Sequence, residues 1–93
     1  MIRREVITMK DKLNKIVTRV DRHGMRESEN DTILEWYEYA LATQLIEERI
    51  SDDEFDKLID IRDYNKILSV LRSYSEVWEY DFIDENNKSI LWG

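Results

Sequence analysis

Four aspartates recur at helical spacing in the second half of the chain. They stand at i, i+3, i+7 and i+10 and are Asp53, Asp56, Asp60 and Asp63, called the acidic row here. This spacing places their carboxylates along one face of a helix, and Asp52 widens that face. Such a face is either a solvated outer face or a surface that occupies a basic groove on a partner by imitating the phosphates of nucleic acid.

A basic row with the same spacing lies near the amino terminus. It consists of Lys12, Lys15, Arg19 and Arg22. This row could pair with the acidic row within one chain or between two copies, or it could contact DNA or RNA with a strong salt dependence. Residues 1–26 carry a net charge of +5, whereas the rest of the chain carries −12. The total of −7 makes nucleic acid an unfavourable partner and favours a basic protein.

The aromatic residues are the second candidate for contact with a partner. The chain has 3 Trp, 5 Tyr and 2 Phe among 93 residues. Because Trp and Tyr are enriched in binding hot spots, Trp36 and Tyr39 are candidate contacts with a protein. The alternative is that most of the aromatic side chains fill a small core.

One pattern of carboxylates is similar to a known metal site. Glu35-x-x-Glu38, followed by Asp53-x-x-Asp56, resembles the arrangement in all-α nucleoside triphosphate pyrophosphatases of the MazG type. The resemblance covers four positions and implies Mg²⁺ held against a triphosphate. The sequence departs from the family because Asp53 and Asp56 open a short helix and no Lys or Arg follows in the family's pattern.

The residue inventory excludes several other chemistries. There is no Cys, one His, no Pro and two Gly, which excludes disulfides, thiol nucleophiles, thiolate zinc sites and glycine-rich phosphate loops. We therefore assign no catalytic residue, metal ligand or cofactor. No apolar run reaches the ~20 residues of a membrane span, so we expect a soluble, cytoplasmic protein.

Most of the local sequence patterns predict helices. Apolar residues at 3.6-residue spacing predict a first helix over 9–22, ended by Gly24 and followed by a polar loop over 25–31. Residues 1–8 are expected to be a non-native or disordered extension, or else an ordinary strand or helix. Thr32 opens a second helix that reaches about Arg49. That helix is apolar on two sides, so it is either central in the fold or uses one side on a partner.

The remaining caps and the carboxyl-terminal aromatic residues complete the predicted fold. Ser51 caps a short third helix and Asp63 caps a fourth. Aromatic and acidic residues then alternate at Trp78, Tyr80 and Phe82, and a turn-rich stretch follows over 84–88. This pattern predicts a β-hairpin that is anchored also by Trp92. The alternative is that the helix continues through Trp78. The sequence thus predicts a single, mainly α-helical domain over 1–93 with three or four helices and a C-terminal β-hairpin.

The functional expectation is a small acidic module that binds protein and is not an enzyme. In composition the chain resembles the cysteine-free orphan proteins of bacteriophages and mobile elements, which inhibit host nucleic-acid-handling or defence proteins. We expect Asp52 and the acidic row to make the contact, supported by Trp36 or Tyr39. The alternatives are a nucleic-acid regulator that uses the basic row, a MazG-type pyrophosphatase, and an oligomer that sequesters a nucleotide signal. A homodimer is favoured by the complementary rows.

Overall fold

The first extended element in the described part of the molecule is a strand and not a helix. The computed structural model describes residues 12–93, so the expected extension over 1–8 lies outside the described residues. Strand β1 spans Ile16–Asp21 and has the sequence IVTRVD. Most of these side chains are β-branched, which favours a strand because branching at Cβ restricts the side chain in a helix. The predicted helix over 9–22 is therefore wrong in this region.

A tight hairpin connects β1 to strand β2, which spans Arg26–Thr32. The Asp21 carboxylate accepts hydrogen bonds from two backbone N–H groups of the loop at 2.8 and 2.9 Å. Gly24 adopts a φ of 79°, a left-handed conformation that suits the hairpin loop over 22–25. Gly24 thus ends a hairpin turn and not a helix. The predicted loop over 25–31 is mostly strand, held by antiparallel pairing with β1.

Three helices follow, each opened by the cap that the sequence predicts. Helix α1 spans Ile33–Ile46, α2 spans Asp52–Ile59 and α3 spans Tyr64–Trp78. Their N-cap side chains each accept a hydrogen bond from the first turn, and they belong to Thr32, Ser51 and Asp63. Within residues 12–93, no helix is both long and apolar enough to cross a membrane.

Strand β3, which spans Tyr80–Ile83, completes the sheet by pairing with β1. Both pairings are antiparallel and the strand order is β2-β1-β3. The chain after β3 turns back and, within residues 12–93, forms one isolated bridge, between Ile83 and Ser89. The predicted C-terminal hairpin is therefore wrong, because the partner of β3 is β1. Trp78 is the last residue of α3, and Trp92 is 53% exposed and is not an anchor.

The fold is α+β, so the prediction of a mainly α-helical domain is wrong. One surface of α1 packs on the sheet, where the indole N–H of Trp36 donates to the Val17 carbonyl at 3.3 Å. Another packs on the remaining helices, where the Tyr37 hydroxyl donates to the Leu58 carbonyl at 2.6 Å. Helix α1 is thus central. The most buried large side chains are Tyr37, Phe82, Ile33, Leu41, Ile67, Leu71 and Val17.

Candidate functional site

A groove lies between helix α1 and strands β1 and β3. Its cavity has a volume of about 250 Å³. Helix α1 contributes side chains three or four positions apart, from Trp36 to Glu47, so the groove follows the helix axis. The residues that define its chemistry are Arg19, Trp36, Gln44, Trp78, Tyr80 and Phe82, together with Tyr39 at its edge.

Aromatic rings form the floor of the groove. Phe82 is 1% exposed, and its ring centroid lies 5.5 Å from that of Trp36 and 5.3 Å from that of Tyr80. Trp36 is itself buried, so its ring supports the groove from below. The sequence identified Trp36 as a functional candidate, and the structure places it in the floor.

Arg19 crosses the floor on the sheet side. Its guanidinium lies 5.0 Å from the Trp36 ring and 5.6 Å from the Tyr80 ring. It also forms an ion pair with Glu27 at 2.9 Å. A cation between two ring faces and a carboxylate is held by cation–π attraction as well as by charge. Arg19 is therefore a fixed part of the groove.

Burial keeps the Tyr80 hydroxyl in the floor uncharged. Desolvation raises the pKa of the Tyr80 hydroxyl to about 12, and the nearby Arg19 partly opposes this effect. Tyr80 is therefore neutral at physiological pH and keeps its proton.

The rim of the groove is apolar and exposed. Tyr39 is 57% exposed and Trp78 is 43% exposed. Ile46, one helical turn beyond Thr43 on the same side of α1, is 79% exposed. Arg49 lies 5.0 Å from the Trp78 ring and so covers part of it. The rim thus combines aromatic and aliphatic surface that water can reach.

Gln44 is a buried polar residue in the wall of the groove. It is 5% exposed and lines the cavity. Its carboxamide is not an unpaired buried group, because no buried side-chain nitrogen or oxygen atom among residues 12–93 lacks a hydrogen-bond partner. Sequence reasoning missed Gln44, because a single Gln on an amphipathic helix carries no local signal.

The acidic row lies on exposed positions but spans more than one element. Asp53 and Asp56 are in α2, Asp60 is its C-cap, and Asp63 caps α3 by accepting a hydrogen bond from the Lys66 N–H at 3.0 Å. Asp52 is also exposed. No ion pair among the described residues includes any of these carboxylates. The row is solvated in this part of the molecule.

The acidic row and the groove lie on different sides of α1. Glu38 points toward the α2 side, where its carboxylate is 4.0 Å from the guanidinium of Arg62. Trp36 is two residues earlier, or about 200° around the helix, and points to the groove. Contact with a partner through the acidic row, supported by Trp36 or Tyr39, stays a prediction.

The basic row does not exist as a helical face. Arg19 lies in β1 within the groove, and Arg22 lies in the hairpin loop, where it forms an ion pair with Glu79 at 2.7 Å. Lys15 lies 3.7 Å from the Asp84 carboxylate. The remaining member, Lys12, lies over the Tyr64 ring at 5.2 Å. Each cation thus already contacts an acidic or aromatic group.

The four carboxylates of the MazG-type pattern are not gathered at one point. The Glu35 carboxylate accepts a hydrogen bond from the Thr32 N–H at 3.0 Å, and this bond lowers the pKa of Glu35. Glu38 faces Arg62. Among residues 12–93, no group of three or more His, Asp or Glu side chains is arranged to hold a metal ion. The site that the resemblance implies is not assembled there.

Neither family models, nor curated protein sequences, nor solved structures match this chain.

Proposed function

We propose that this chain is a small non-enzymatic protein-binding module that engages a basic partner through the groove and inhibits or modulates it. The observation that carries the proposal is that the exposed side chains of Tyr39 and Trp78 line a groove with a buried aromatic floor. The exposed Ile46 lies on the same side of α1. Exposed Trp and Tyr next to a desolvated pocket are the residues that contribute most to binding hot spots. Contiguous exposed apolar surface is also a common mark of an interaction site.

The negative charge of the chain favours a basic partner. The total charge is −7, and the exposed acidic row adds a strong local field on the α2 side. Because that row lies away from the groove, we assign it to long-range attraction and not to direct contact. Nucleic-acid-handling and defence proteins present basic surfaces, so they are the class of partner that we propose.

The test removes the rim without disturbing the floor. The tagged double variant Tyr39→Ala/Trp78→Ala is compared with wild type for capture of a stoichiometric partner from nuclease-treated bacterial lysate, and then for affinity with that purified partner. Loss of two hot-spot side chains should weaken affinity by at least about thirtyfold. Trp92→Ala is the matched control, because it removes a similarly exposed aromatic side chain outside the groove.

The outcomes separate the two candidate surfaces. Unchanged affinity of the rim variant would overturn the proposal. Loss of binding in Asp53→Asn/Asp56→Asn, with the rim variant still active, would assign contact to the acidic row instead. A loss confined to the rim variant, with both control variants close to wild type at moderate salt, supports the groove.

A further inference from the structure

Two helices end at the same part of the groove. Glu47 is the C-cap of α1 and Trp78 is the last residue of α3, and both line the cavity. Neither of these two helices has a basic residue in its last turn. Because the carboxyl end of a helix carries a partial negative charge, this part of the groove attracts a cation.

The chain leaves α1 through a turn that is held by backbone hydrogen bonds. Glu48 adopts a left-handed φ of 58°, and its N–H donates to the Leu45 carbonyl at 3.0 Å. The Arg49 N–H donates to the Gln44 carbonyl at 2.8 Å. These are the two hydrogen bonds of a Schellman motif. The backbone that carries Glu47 and Arg49 is therefore held even when the Arg49 side chain moves.

Arg49 supplies a cation at this part of the groove. Its guanidinium lies 5.0 Å from the centroid of the Trp78 ring, and its Nε donates to the Glu47 carboxylate at 3.1 Å. An aromatic face beside a carboxylate suits a guanidinium in particular, because this planar cation stacks on rings and hydrogen-bonds to carboxylates. The chain thus shows which chemical group the site accepts.

The other guanidinium of the groove is held more firmly. Arg19 contacts the rings of Trp36 and Tyr80, and 28% of its side chain is exposed. It also pairs with Glu27 at 2.9 Å. The Arg49 side chain is 49% exposed, and an exposed ion pair or cation–π contact contributes little to stability. Arg49 can therefore be displaced from its ring, whereas Arg19 stays in place.

The lining of the groove favours a cation over a neutral or acidic group. Among the described residues that line the cavity, Arg19 is the one cation. The lining also includes three carboxylates, those of Asp21, Glu27 and Glu47, so its net charge is −2. Negative charge of this kind attracts a basic side chain and repels an acidic one.

We propose that the groove receives an arginine side chain of the basic partner, which replaces Arg49 over the Trp78 ring and pairs with Glu47. Arg49 is then a competitor within the chain, because it occupies the same ring and the same carboxylate when no partner is bound. This inference rests on the protein-binding function proposed for the groove and specifies the side chain that enters it.

The probe is a capped tripeptide with one arginine between two glycines. Binding to the full chain is followed by NMR titration of the Trp78 indole N–H, and the exposed Trp92 outside the groove is the reference signal. One control peptide carries citrulline, which has the shape of arginine without its charge. The other carries lysine, which has the charge without the planar group. We expect the arginine peptide to bind more tightly than the lysine peptide and the citrulline peptide to bind least.

Two variants test the competition. Arg49→Gln should bind the arginine peptide about threefold more tightly than wild type, because the competing guanidinium is gone. Lys66→Gln makes the same change in net charge at an exposed position in the first turn of α3 and should stay within about 1.5-fold of wild type. Glu47→Gln/Arg49→Gln should bind about threefold more weakly than Arg49→Gln, because the carboxylate that receives the arginine is removed.

The results distinguish this inference from the broader proposal. Equal gains in Arg49→Gln and Lys66→Gln, wild-type affinity of Arg49→Gln, equal binding of the arginine and lysine peptides, or an unshifted Trp78 signal would each overturn the inference. A captured partner can be lost from Tyr39→Ala/Trp78→Ala and yet bind both Arg49→Gln and the double variant with wild-type affinity. In that case the groove binds protein without an arginine at this position, and only this inference fails. If the rim variant keeps the partner, the broader proposal fails and this inference fails with it.

Discussion

Replacing Phe82 by alanine tests the arrangement that builds the groove. Phe82 is 1% exposed and contacts the rings of Trp36 and Tyr80 at centroid distances of 5.5 and 5.3 Å. Truncating a buried Phe costs about 3–5 kcal/mol through lost burial and the resulting cavity. A domain of 93 residues has a total stability of about 5–14 kcal/mol. Phe82→Ala should therefore remove a large part of the free energy of unfolding.

Urea unfolding followed by far-ultraviolet circular dichroism measures this loss. Phe82→Leu should cost less than about 1.5 kcal/mol, because most of the apolar volume is retained. Tyr39→Ala is the control, since Tyr39 is 57% exposed and its loss should cost no more than about 1 kcal/mol. A cost below about 1 kcal/mol for Phe82→Ala would refute the reasoning, because it would mean that the Phe82 ring of β3 is not packed against Trp36 of α1.

Three further predictions concern local structure and pH. Gly24→Ala should cost about 1–2 kcal/mol in urea unfolding, since the added Cβ meets no atom within 4 Å but the φ of 79° disfavours alanine; equal stability would contradict the left-handed turn. Thr32→Ala should cost about 1 kcal/mol, because Thr32 accepts the Glu35 N–H at 3.1 Å, and an unchanged midpoint would argue against this cap. Burial raises the pKa of both Tyr37 and Tyr80 to about 12, so their contribution to stability is complete below pH 10 and is lost as the pH rises from 10 to 12. Tyrosinate absorbance should show Tyr37 and Tyr80 ionising together with the loss of helical signal, and burial raises the pKa of Tyr64 and Tyr74 as well. Ionisation of all five tyrosines near pH 10 in the folded chain would exclude this burial.

The helices could be predicted because their signals are local. Thr32, Ser51 and Asp63 each cap the helix that follows, and a capping side chain acts within three residues of its own position. The apolar pattern of α1 on two sides left two alternatives, a central helix or a face used on a partner, and the helix is central in the structure.

The strands could not be predicted in the same way. The apolar residues over 13–20 fit a helical period as well as a strand, and Gly24 is compatible with a helix end and with a hairpin loop. The β-branched residues in β1 were the better signal. Strand β2 has almost no strand propensity of its own and is defined by its pairing with β1.

The candidate site was predicted only in part, because it too depends on contacts between segments that are far apart in sequence. Trp36 and Tyr39 were identified from residue type, but the groove arises where β3 meets β1 under α1. That contact joins segments far apart in sequence, which no local pattern encodes. Gln44 becomes notable only when its burial in the wall of the groove is known.

The central position of β1 has a consequence for how the chain folds. Asp21 pairs with Tyr80, 59 positions later, whereas β1 and β2 meet across a short loop. The hairpin can therefore form early, but the sheet closes only after all three helices have been synthesised, and closing that long loop carries an entropic cost. A nascent chain that ends at α3 would leave one edge of β1 unpaired and the Trp36 ring without its contact with Phe82. Such intermediates associate with one another most readily, so the time between synthesis of β1 and docking of β3 is the period of greatest risk of aggregation.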